Sequence, residues 1–311
     1  MSKGNKEFFD LVRSREFSPP QKLYKYVTID AARQILKNDT IRFQSPLNYN
    51  DPFDAQWNVF WPLYTREARD FEVSLLQNAI LNPDTWPAHT DEQCRKALIE
   101  EHHRIASLPP NQRKTAAGQF AIECADHGVP DQLRAKMHDT RRRLRVFCLC
   151  EGIFSILMWS HYADNHRGLI LGFDATRLEH GFSRPLEPVN YSHELPRLID
   201  YQGWIRSTTF GLPIPPVLGA EREWALSKHI DWKYEREWRF VWVANKGTSG
   251  DYEDFQIPEG SFTEIIFGCR ARPADSSEII ELTNVIRHDI QLQRMSIHPS
   301  KFELVKCDID N

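Results

Sequence analysis

Polar and aromatic side chains are concentrated between two apolar runs near the middle of the chain. Residues 158–162 combine two aromatic rings, an imidazole and hydroxyl groups in a segment too short for a surface loop and too polar for plain core. Taken singly, each residue fits a core helix whose polar atoms are hydrogen-bonded inward. Together they favour a binding or catalytic site. Its candidate residues are Trp159, Ser160, His161 and Tyr162.

A second segment combines charge with a strand pattern. Residues 231–243 begin with charged side chains and continue as a predicted strand whose two faces differ. One face is aromatic and consists of Trp238, Phe240 and Trp242. The other carries Glu237 and Arg239, and a carboxylate there can stabilise a developing cation or accept a proton. The alternative is that Glu235 and Glu237 only pair with neighbouring Arg or Lys side chains, and the sequence leaves open which of the two faces a cleft.

Two segments nearer the N-terminus supply further candidates. Residues 23–27 predict a strand from their aromatic and β-branched content. Its candidate residues are Tyr24, Lys25 and Tyr26. Residues 48–54 form a polar turn in which Asn50 and Asp51 are candidates to face a ligand, although Asn and Asp also stabilise ordinary loops by bonding their own backbone.

Several signatures of well-known chemistry are absent from the sequence. It contains no phosphate-binding glycine loop, no paired-histidine zinc motif and no nucleophile elbow. The histidines and the six cysteines lack the spacing of metal ligands, so we expect no metal site. Asp231 and Lys233, with Asp174 upstream, leave a metal-dependent nuclease as an alternative, although so short a pattern often occurs by chance.

The composition is typical of a globular protein. The 311 residues are 41% hydrophobic, and the net charge of -4 gives no general attraction to nucleic acid. No apolar run has the length of a signal peptide or the roughly 20 residues of a membrane helix. We therefore expect a cytoplasmic protein that does not bind membranes. A local basic cluster, expected at a helix C-terminus, consists of Arg141, Arg142, Arg143 and Arg145.

The elements that position these candidates predict an α+β fold. Residues 146–150 and 169–173 are unbroken apolar runs, which predict strands buried on both faces and paired in one sheet with residues 237–243. Residues 65–145 consist of charged amphipathic segments separated by Pro-containing breaks, which predict three or four helices outside the sheet. Further strands are predicted at residues 40–44, 188–192, 263–268 and 301–308, and further helices at 7–15, 29–38, 193–204, 221–228 and 276–288.

The expected architecture is a single domain over residues 1–311. Residues 20–60 and 146–311 form its α+β core, built on a split, mixed β-sheet, and residues 61–145 form a helical insertion.

Motifs at several places resemble the bacterial family of proteins of unknown function DUF2971. They are Leu23-Tyr24-Lys25-Tyr26, Asn50-Asp51-Pro52-Phe53, Met158-Trp159-Ser160-His161-Tyr162-Ala163, His166-Arg167-Gly168 and Tyr234-Glu235-Arg236-Glu237-Trp238-Arg239. The set is specific, but the family name implies no activity.

A wider resemblance is to ADP-ribosyltransferase-like folds. Residues 23–43 look like the opening of such a fold, with Lys25 where the superfamily has a His or Arg that holds the ribose of NAD. Residues 147–162 resemble its strand and helix with Tyr162 or Ser160 at the nicotinamide, and Glu237 resembles its late-strand carboxylate. The resemblance implies NAD as a substrate. The residues expected to bind NAD are Tyr24, Tyr26, Asn50, Asp51, Trp159, Ser160, His161 and Arg239.

The function expected from this resemblance is ADP-ribosyl transfer to a macromolecular acceptor, protein or nucleic acid, by a toxin or defence effector. Glu237, Tyr162 and Lys25 are the expected catalytic residues, and their side chains should converge on one pocket. Lys25 in place of His or Arg favours an alternative, a catalytically inactive module of the same fold that senses nucleotides or binds a protein.

Overall fold

The computed structural model describes residues 17–55, 60–125, 129, 131–197, 199–213, 220–245, 247–286 and 289–309. The chain divides into two compact units. The first contains Met1–Ala55, Thr140–Glu194 and Ala225–Asn311, and the second contains Gln56–Asp139 and Leu195–Trp224. The single domain with a helical insertion stays a prediction, and the predicted helix at residues 7–15 lies outside the described residues.

The first unit is built on a large mixed β-sheet with helices, so the predicted α+β class is confirmed. The strands are β1 (Lys22–Val27), β2 (Thr40–Gln44), β3 (Leu144–Cys150), β4 (Leu169–Asp174), β5 (Glu187–Pro188), β8 (Glu237–Val243), β9 (Tyr252–Gln256), β10 (Phe262–Phe267), β11 (Gln291–Ile297) and β12 (Leu304–Asp308). Their order is β12-β11-β10-β4-β1-β3-β2-β9, with β8 paired to β3 and β5 paired to β8. Only the β10–β11 pair is parallel among the described strands of this sheet. The predicted strands at 146–150, 169–173 and 237–243 therefore share one sheet. Two short strands, β6 (Asn190–Ser192) and β7 (Ser227–His229), pair in parallel beside it.

Strand β3 pairs over its whole length with one neighbour and at single residues with two others. It pairs along its whole length with β8, from Leu144 to Cys150. With β1 and with β2 it shares one register pair each, Tyr24 with Cys150 and Gln44 with Val146. The sheet is therefore open along the β3 edge between those two pairs.

The two faces of the sheet are covered differently, because successive side chains of a strand point to opposite faces. On one face, Leu171 of β4 and Ile265 of β10 belong to a large apolar core that includes Ala32 and Leu36. On the other face lies a smaller cluster, to which the strands and a short helix contribute. That cluster consists of Tyr26, Cys150, Ile153, Met158, Trp159, Ala163, Ile170, Ile266, Met295 and Leu304.

Four helices accompany the sheet in the described part of the first unit: α1 (Ile29–Asn38), α6 (Ile156–Tyr162), α7 (Ala175–Phe182) and α10 (Pro273–Ile286). Side-chain caps fix where three of them begin, since a cap satisfies an otherwise unpaired backbone N–H. Thr28 accepts a hydrogen bond from the N–H of Ala31, Ser155 from that of Met158, and Asp174 from that of Arg177.

Helices dominate the second unit. They are α2 (Arg66–Leu81), α3 (Glu92–Ala106), α4 (Pro110–Cys124) and α8 (Tyr201–Phe210), while α5 (Asp131–Arg143) and α9 (Ala220–Ala225) each cross a boundary between the units. Apolar clusters around Phe60 and Trp204, and around Ile80 and Leu98, hold them together. No helix in the described ranges is both long enough and apolar enough to cross a membrane.

Several predicted elements differ from the structure. The helix predicted at 193–204 begins at Tyr201, because Pro196 precedes it and Asp200 caps it. The helix predicted at 221–228 ends at Ala225, and Lys228 lies in β7 instead.

Arg145, expected at a helix C-terminus, is a buried residue of β3, where carbonyl oxygens of Arg142, Leu144 and Gly250 accept its hydrogen bonds. Strands β9 and β11 were not predicted from the sequence, because their mixed polar residues give no clear apolar run.

Candidate functional site

A cavity of about 270 Å³, lined by both charged and apolar side chains, opens in the first unit beside β3. Its walls come from β1, the end of β2 and the turn after it, β3, α6, β7, the short 3-10 helix Ile230–Glu235 and the start of β8. It is lined by Tyr24, Lys25, Tyr26, Gln44, Asn48, Tyr49, Asn50, Asp54, Cys148, Leu149, Cys150, Met158, Tyr162, Lys228, Glu235 and Glu237. The predicted convergence of Lys25, Tyr162 and Glu237 on one pocket is therefore present in the structure.

Lys25 reaches the cavity at the open edge of the sheet. Its Nζ donates a hydrogen bond to the backbone oxygen of Cys148 at 3.1 Å, in the part of β3 between its single pairs with β1 and β2. The same ammonium group lies 5.3 Å from the ring centroid of Phe147, a cation–π distance. Lys25 is thus a half-buried cation at the wall of the cavity.

A buried cluster of opposite charges forms the other wall. Nζ of Lys228 lies 2.5 Å from Oε2 of Glu235, 3.1 Å from Oε2 of Glu237 and 3.4 Å from Oδ2 of Asp54. Arg239 donates to both oxygens of Asp54, at 2.8 and 2.7 Å, and to Oε2 of Glu237 at 2.7 Å. Three carboxylates therefore share two cations, and one negative charge is left uncompensated when all are ionised.

The pKa values of Glu235 and Glu237 are shifted in opposite directions by their surroundings. Burial acts to raise the pKa of Glu237, but Arg239 and Lys228 outweigh it and lower the pKa to about 2. Burial and the charge of Glu237 raise the pKa of Glu235 above its ordinary value, against the attraction of Lys228. Glu237 is therefore an anion throughout the physiological range, and Glu235 is the group better placed to exchange a proton.

Tyr162 connects α6 to this pair of carboxylates. Its hydroxyl donates a hydrogen bond of 2.7 Å to Oε1 of Glu235. Burial, followed by the charge of Glu235, raises the pKa of Tyr162, so the phenol stays protonated. Because Lys228 holds the other oxygen, Glu235 is fixed in position from two sides.

Tyrosine rings and thiols make up much of the remaining lining. Tyr26 donates to the backbone oxygen of Gly152 at 3.0 Å, and burial raises the pKa of Tyr24 to about 12. The hydroxyl of Tyr49 lies 3.3 Å from Sγ of Cys148, and burial raises the pKa of Cys148 to about 12. A thiol with so high a pKa is a poor nucleophile, so the thiol of Cys148 acts as an inert part of the wall.

Five residues predicted to bind the cofactor do not line the cavity. Trp159 is fully buried, and its Nε1 donates to the backbone oxygen of Ile153 at 2.7 Å. Ser160 Oγ donates to the backbone oxygen of Ile156 and lies 3.2 Å from Nε2 of His166, while His161 is exposed.

The other two of these residues, Asp51 and Arg239, contact residues that line the cavity without lining it themselves. Asp51 accepts the backbone N–H of Phe53 at 2.8 Å and shapes the turn after β2. Arg239 orients Asp54 and Glu237. Tyr24, Tyr26 and Asn50, in contrast, line the cavity, and their binding of NAD stays a prediction.

Lys228 and Asp54 are members of the site that the sequence analysis missed. The sequence predicts a helix that ends at Lys228. In the structure Lys228 lies in β7, which pairs in parallel with β6, and its side chain lines the cavity. Asp54 belongs to the polar turn at residues 48–54, and its partners come from distant segments. Charged residues are common in loops, so the local sequence does not show that Asp54 is buried. Its burial is evident only from its contacts with residues far away in the chain.

The residues suggested for a metal-dependent nuclease lie elsewhere. Asp174 caps α7, and Asp231 pairs with His229 at 3.3 Å; neither lines the cavity. Within the described part of the chain, no group of three or more His, Cys, Asp or Glu side chains is arranged to hold a metal ion.

The family model described as "Protein of unknown function (DUF2971)" matches residues 158–240. This range contains Tyr162, Lys228, Glu235 and Glu237, and the match supports the resemblance to that family stated from the motifs. No curated protein and no solved structure matches the chain.

Proposed function

We propose that the protein cleaves the bond between nicotinamide and ribose in NAD and transfers the ADP-ribosyl group to a macromolecular acceptor. The observation that carries this proposal is the pair of carboxylates, Glu235 and Glu237, whose pKa values are moved in opposite directions within one cavity. Such a pair supplies a permanent anion and a proton acceptor side by side.

Glu237 stabilises the positive charge that develops during bond cleavage. The electron pair of the glycosidic bond leaves with nicotinamide, which departs neutral, while positive charge develops on the ribose. An anion held in a buried site acts strongly on that charge, because little solvent screens it. Lys228 and Arg239 hold the Glu237 carboxylate through one oxygen, Oε2, so its orientation is set before the reaction.

Glu235 takes the proton that the acceptor loses when it attacks the ribose. Its raised pKa brings it closer to neutral pH, where proton transfer is most efficient. The hydrogen bond from Tyr162 holds the carboxylate toward the cavity. The negative charge of Glu235 and the proton of the acceptor thus cancel, and no other co-reactant is required.

The dimensions of the cavity suit one end of the dinucleotide. At about 270 Å³ it lies at the lower limit of small-molecule sites, which span roughly 300–1,000 Å³. Nicotinamide and its ribose therefore enter, with the half-buried ring of Tyr24 as a stacking surface, Tyr26 as part of the cavity wall and Lys25 near the ribose or phosphate. This chemistry fits the cytoplasmic placement and the role as a toxin or defence effector expected from the sequence.

The test is the release of nicotinamide from NAD by variants of the two carboxylates. We expect Glu237→Gln to lower the rate by about 100-fold or more while the protein stays folded, because the negative charge opposite the developing cation is lost. Glu235→Gln should spare cleavage with water more than transfer to an acceptor. The matched control is Glu281→Gln, at an exposed position of α10, and it should behave as wild type. Unchanged turnover in Glu237→Gln would reject the assignment.

One observation favours a second function, a nucleotide-sensing module without activity. Both cations, Lys228 and Arg239, already pair with Glu237, which weakens the field that this anion exerts on a substrate. Calorimetric binding of NAD by the wild-type protein, with no nicotinamide released over hours, would select this alternative.

A further inference from the structure

Strand β12 lies at one end of the large sheet, and no described strand pairs with its outer edge. Its inner edge pairs with β11 without a shift of register, from Gln293 with Asp308 to Ile297 with Leu304. Strand β12 contains no proline, which would interrupt such an edge. The outer edge of a strand carries unpaired backbone N–H and C=O groups, so it can pair with a strand of another chain.

Backbone hydrogen bonds show which residues of β12 face outward. At the two ends of the ladder, the N–H of His298 donates to the backbone oxygen of Glu303 at 2.9 Å, and the N–H of Ile309 donates to that of Leu292 at 3.5 Å. In an antiparallel ladder, residues bonded to the neighbouring strand alternate with residues whose backbone groups point away from it. Because residues 303 and 309 face β11, the backbone groups of residues 304, 306 and 308 point outward.

Two of the outward residues carry opposite charges. Lys306 and Asp308 are exposed, and Lys306 forms no ion pair with any described residue. Oδ1 of Asp308 accepts a hydrogen bond of 2.8 Å from Nε2 of Gln293, an uncharged partner. A lysine on an edge strand normally opposes pairing with another chain, unless a carboxylate lies opposite it.

One register of β12 with the β12 of a second copy matches both the backbone and the charges. An antiparallel pair about a two-fold axis forms hydrogen bonds only when outward residues lie opposite each other. Registers centred on Lys306 or on Asp308 bring like charges together on the axis, and a register centred on Val305 places Lys306 opposite Leu304. The register centred on Cys307 places Lys306 of each copy opposite Asp308 of the other.

The same register matches the other face of the strand. It places Val305 opposite Ile309 of the second copy and Cys307 opposite its own counterpart, so apolar side chains form a cross-strand row. Val305 is 39% exposed in the single chain. Ile309 packs against the large apolar core that includes Ile279 of α10, so this row continues the helix-covered face of the sheet.

The strand at the other end of the sheet has no such match. Strand β9 contains two charged residues, Glu253 and Asp254, and both are acidic. Glu253 lies 3.7 Å from Nε of Arg145, and Asp254 bonds to Arg42 at 2.8 Å. Strand β9 therefore cannot place opposite charges opposite each other when it pairs with its own copy. The self-complementary pattern is specific to β12 in this comparison.

We propose that two copies of the protein associate through β12, antiparallel and in the register centred on Cys307, so that their sheets join into one. Each hydrogen-bonded pair of residues exchanges two bonds, which gives about four backbone hydrogen bonds between Lys306 and Asp308 of the two copies. Two exposed ion pairs add little, so the association is weak and depends on concentration. It requires nothing of the proposed reaction.

The first experiment reverses the charges across the contact. The molar mass of the full-length protein is measured by sedimentation equilibrium in reducing buffer, at concentrations up to the millimolar range. We expect the wild type to approach the mass of a dimer. Lys306→Asp and Asp308→Lys should each weaken the dimer by about tenfold, because each places like charges opposite each other twice. The variant that combines Lys306→Asp with Asp308→Lys restores opposite charges and should dimerise like the wild type.

The control for these variants is Lys301→Asp, which makes the same charge change in the turn of the same hairpin. It should dimerise like the wild type, and all variants should unfold at the same urea concentration. A wild type that stays monomeric in the millimolar range overturns the inference, and so does a combined variant as weak as the single ones. Stronger association of Lys306→Asp also overturns it, because Lys306 would then protect the edge from pairing.

The second experiment tests the register through Cys307. In the proposed dimer the two Cys307 residues form a non-hydrogen-bonded pair, whose Cα atoms lie about 4.5 Å apart, a distance that a disulfide spans. Diamide, which takes two electrons and two protons from a pair of thiols, should therefore produce a covalent dimer. Peptide mass spectrometry should show that Cys307 joins the two copies.

The controls for the disulfide are the two exposed cysteines, Cys124 and Cys307. The covalent dimer should persist in Cys124→Ser and be lost in Cys307→Ser. In Lys306→Asp it should form about tenfold more slowly, in parallel with the weaker dimer. Dimers joined through Cys124, or equal rates of Cys307 bridging in the wild type and in Lys306→Asp, contradict the proposed register.

Discussion

Strands β3 and β8 present apolar side chains on one face and charged side chains on the other, and the two sets have different roles. On one face, Phe147, Trp238 and Phe240 belong to the large apolar core. On the other, Glu237 and Arg239 form the buried charge cluster, and they pair in register with Cys150 and Cys148. Because a strand alternates its side chains, one segment of sequence stabilises the fold and carries the chemistry. The comparison predicts that substitutions on the apolar face lower stability and leave activity per folded molecule intact, whereas substitutions on the charged face lower activity as well.

The largest effect on stability is expected on the apolar face. Phe240 is fully buried among aromatic rings, including Phe43 and Phe182. Phe240→Ala removes most of that side chain and leaves a cavity, so unfolding in urea should require about 3–5 kcal/mol less. The variant should retain the nicotinamide-releasing rate of wild type per folded molecule. Phe302→Ala is the matched control, because Phe302 is 99% exposed, and a similar loss there would contradict the assignment of the core.

A somewhat smaller effect is expected on the charged face. Arg239→Met removes the cation that contacts both Asp54 and Glu237, and leaves their charges to Lys228. Stability at neutral pH should fall by about 3 kcal/mol, since buried charges lose their partner. Activity should fall as well, unlike in Phe240→Ala.

The pH dependence of stability sharpens this test. The pKa of Glu237 is lowered from 4.5 to about 2 in the folded protein, so its ionisation stabilises the fold above pH 4.5, and this contribution is lost as the pH falls toward 2. In Arg239→Met the pKa of Glu237 should be higher, and the acid transition should show a smaller contribution from this carboxyl. Identical acid transitions in both proteins would show that Arg239 does not hold Glu237 in its charged form.

The features that the sequence predicted correctly are those that depend on residues close together in the chain. Apolar runs located β3 and β4, and the alternation in residues 237–243 assigned Trp238 and Phe240 to one face and Glu237 to the other, as the structure has them. The cap of α6 was not assigned from the sequence, although Ser155, like Thr28 at the start of α1, accepts a hydrogen bond from a backbone N–H only three residues further on.

The sequence did not predict what depends on distant partners. Lys228 is buried because Asp54, Glu235 and Glu237 meet it from separate segments, and no local pattern encodes that meeting. The opposite pKa shifts of Glu235 and Glu237 have the same origin, since Glu237 contacts two cations, Arg239 and Lys228, while Glu235 contacts Lys228 and is raised by the charge of Glu237. Trp159, predicted to face a ligand, is instead enclosed by Tyr26 and His166, because aromatic residues in a short helix pack inward as readily as outward.

The protonation of the two glutamates is the central claim, and carbon-13 NMR of their carboxyl groups measures it directly. The signals are assigned with Glu235→Gln and Glu237→Gln, and the wild-type protein is titrated from neutral pH downward. We predict that Glu235 takes up its proton first, at a pH above 4.5, and that Glu237 stays ionised until the pH approaches 2. Titration of both carboxyls together near 4.5, or of Glu237 before Glu235, would contradict the division of roles between an anion and a proton acceptor.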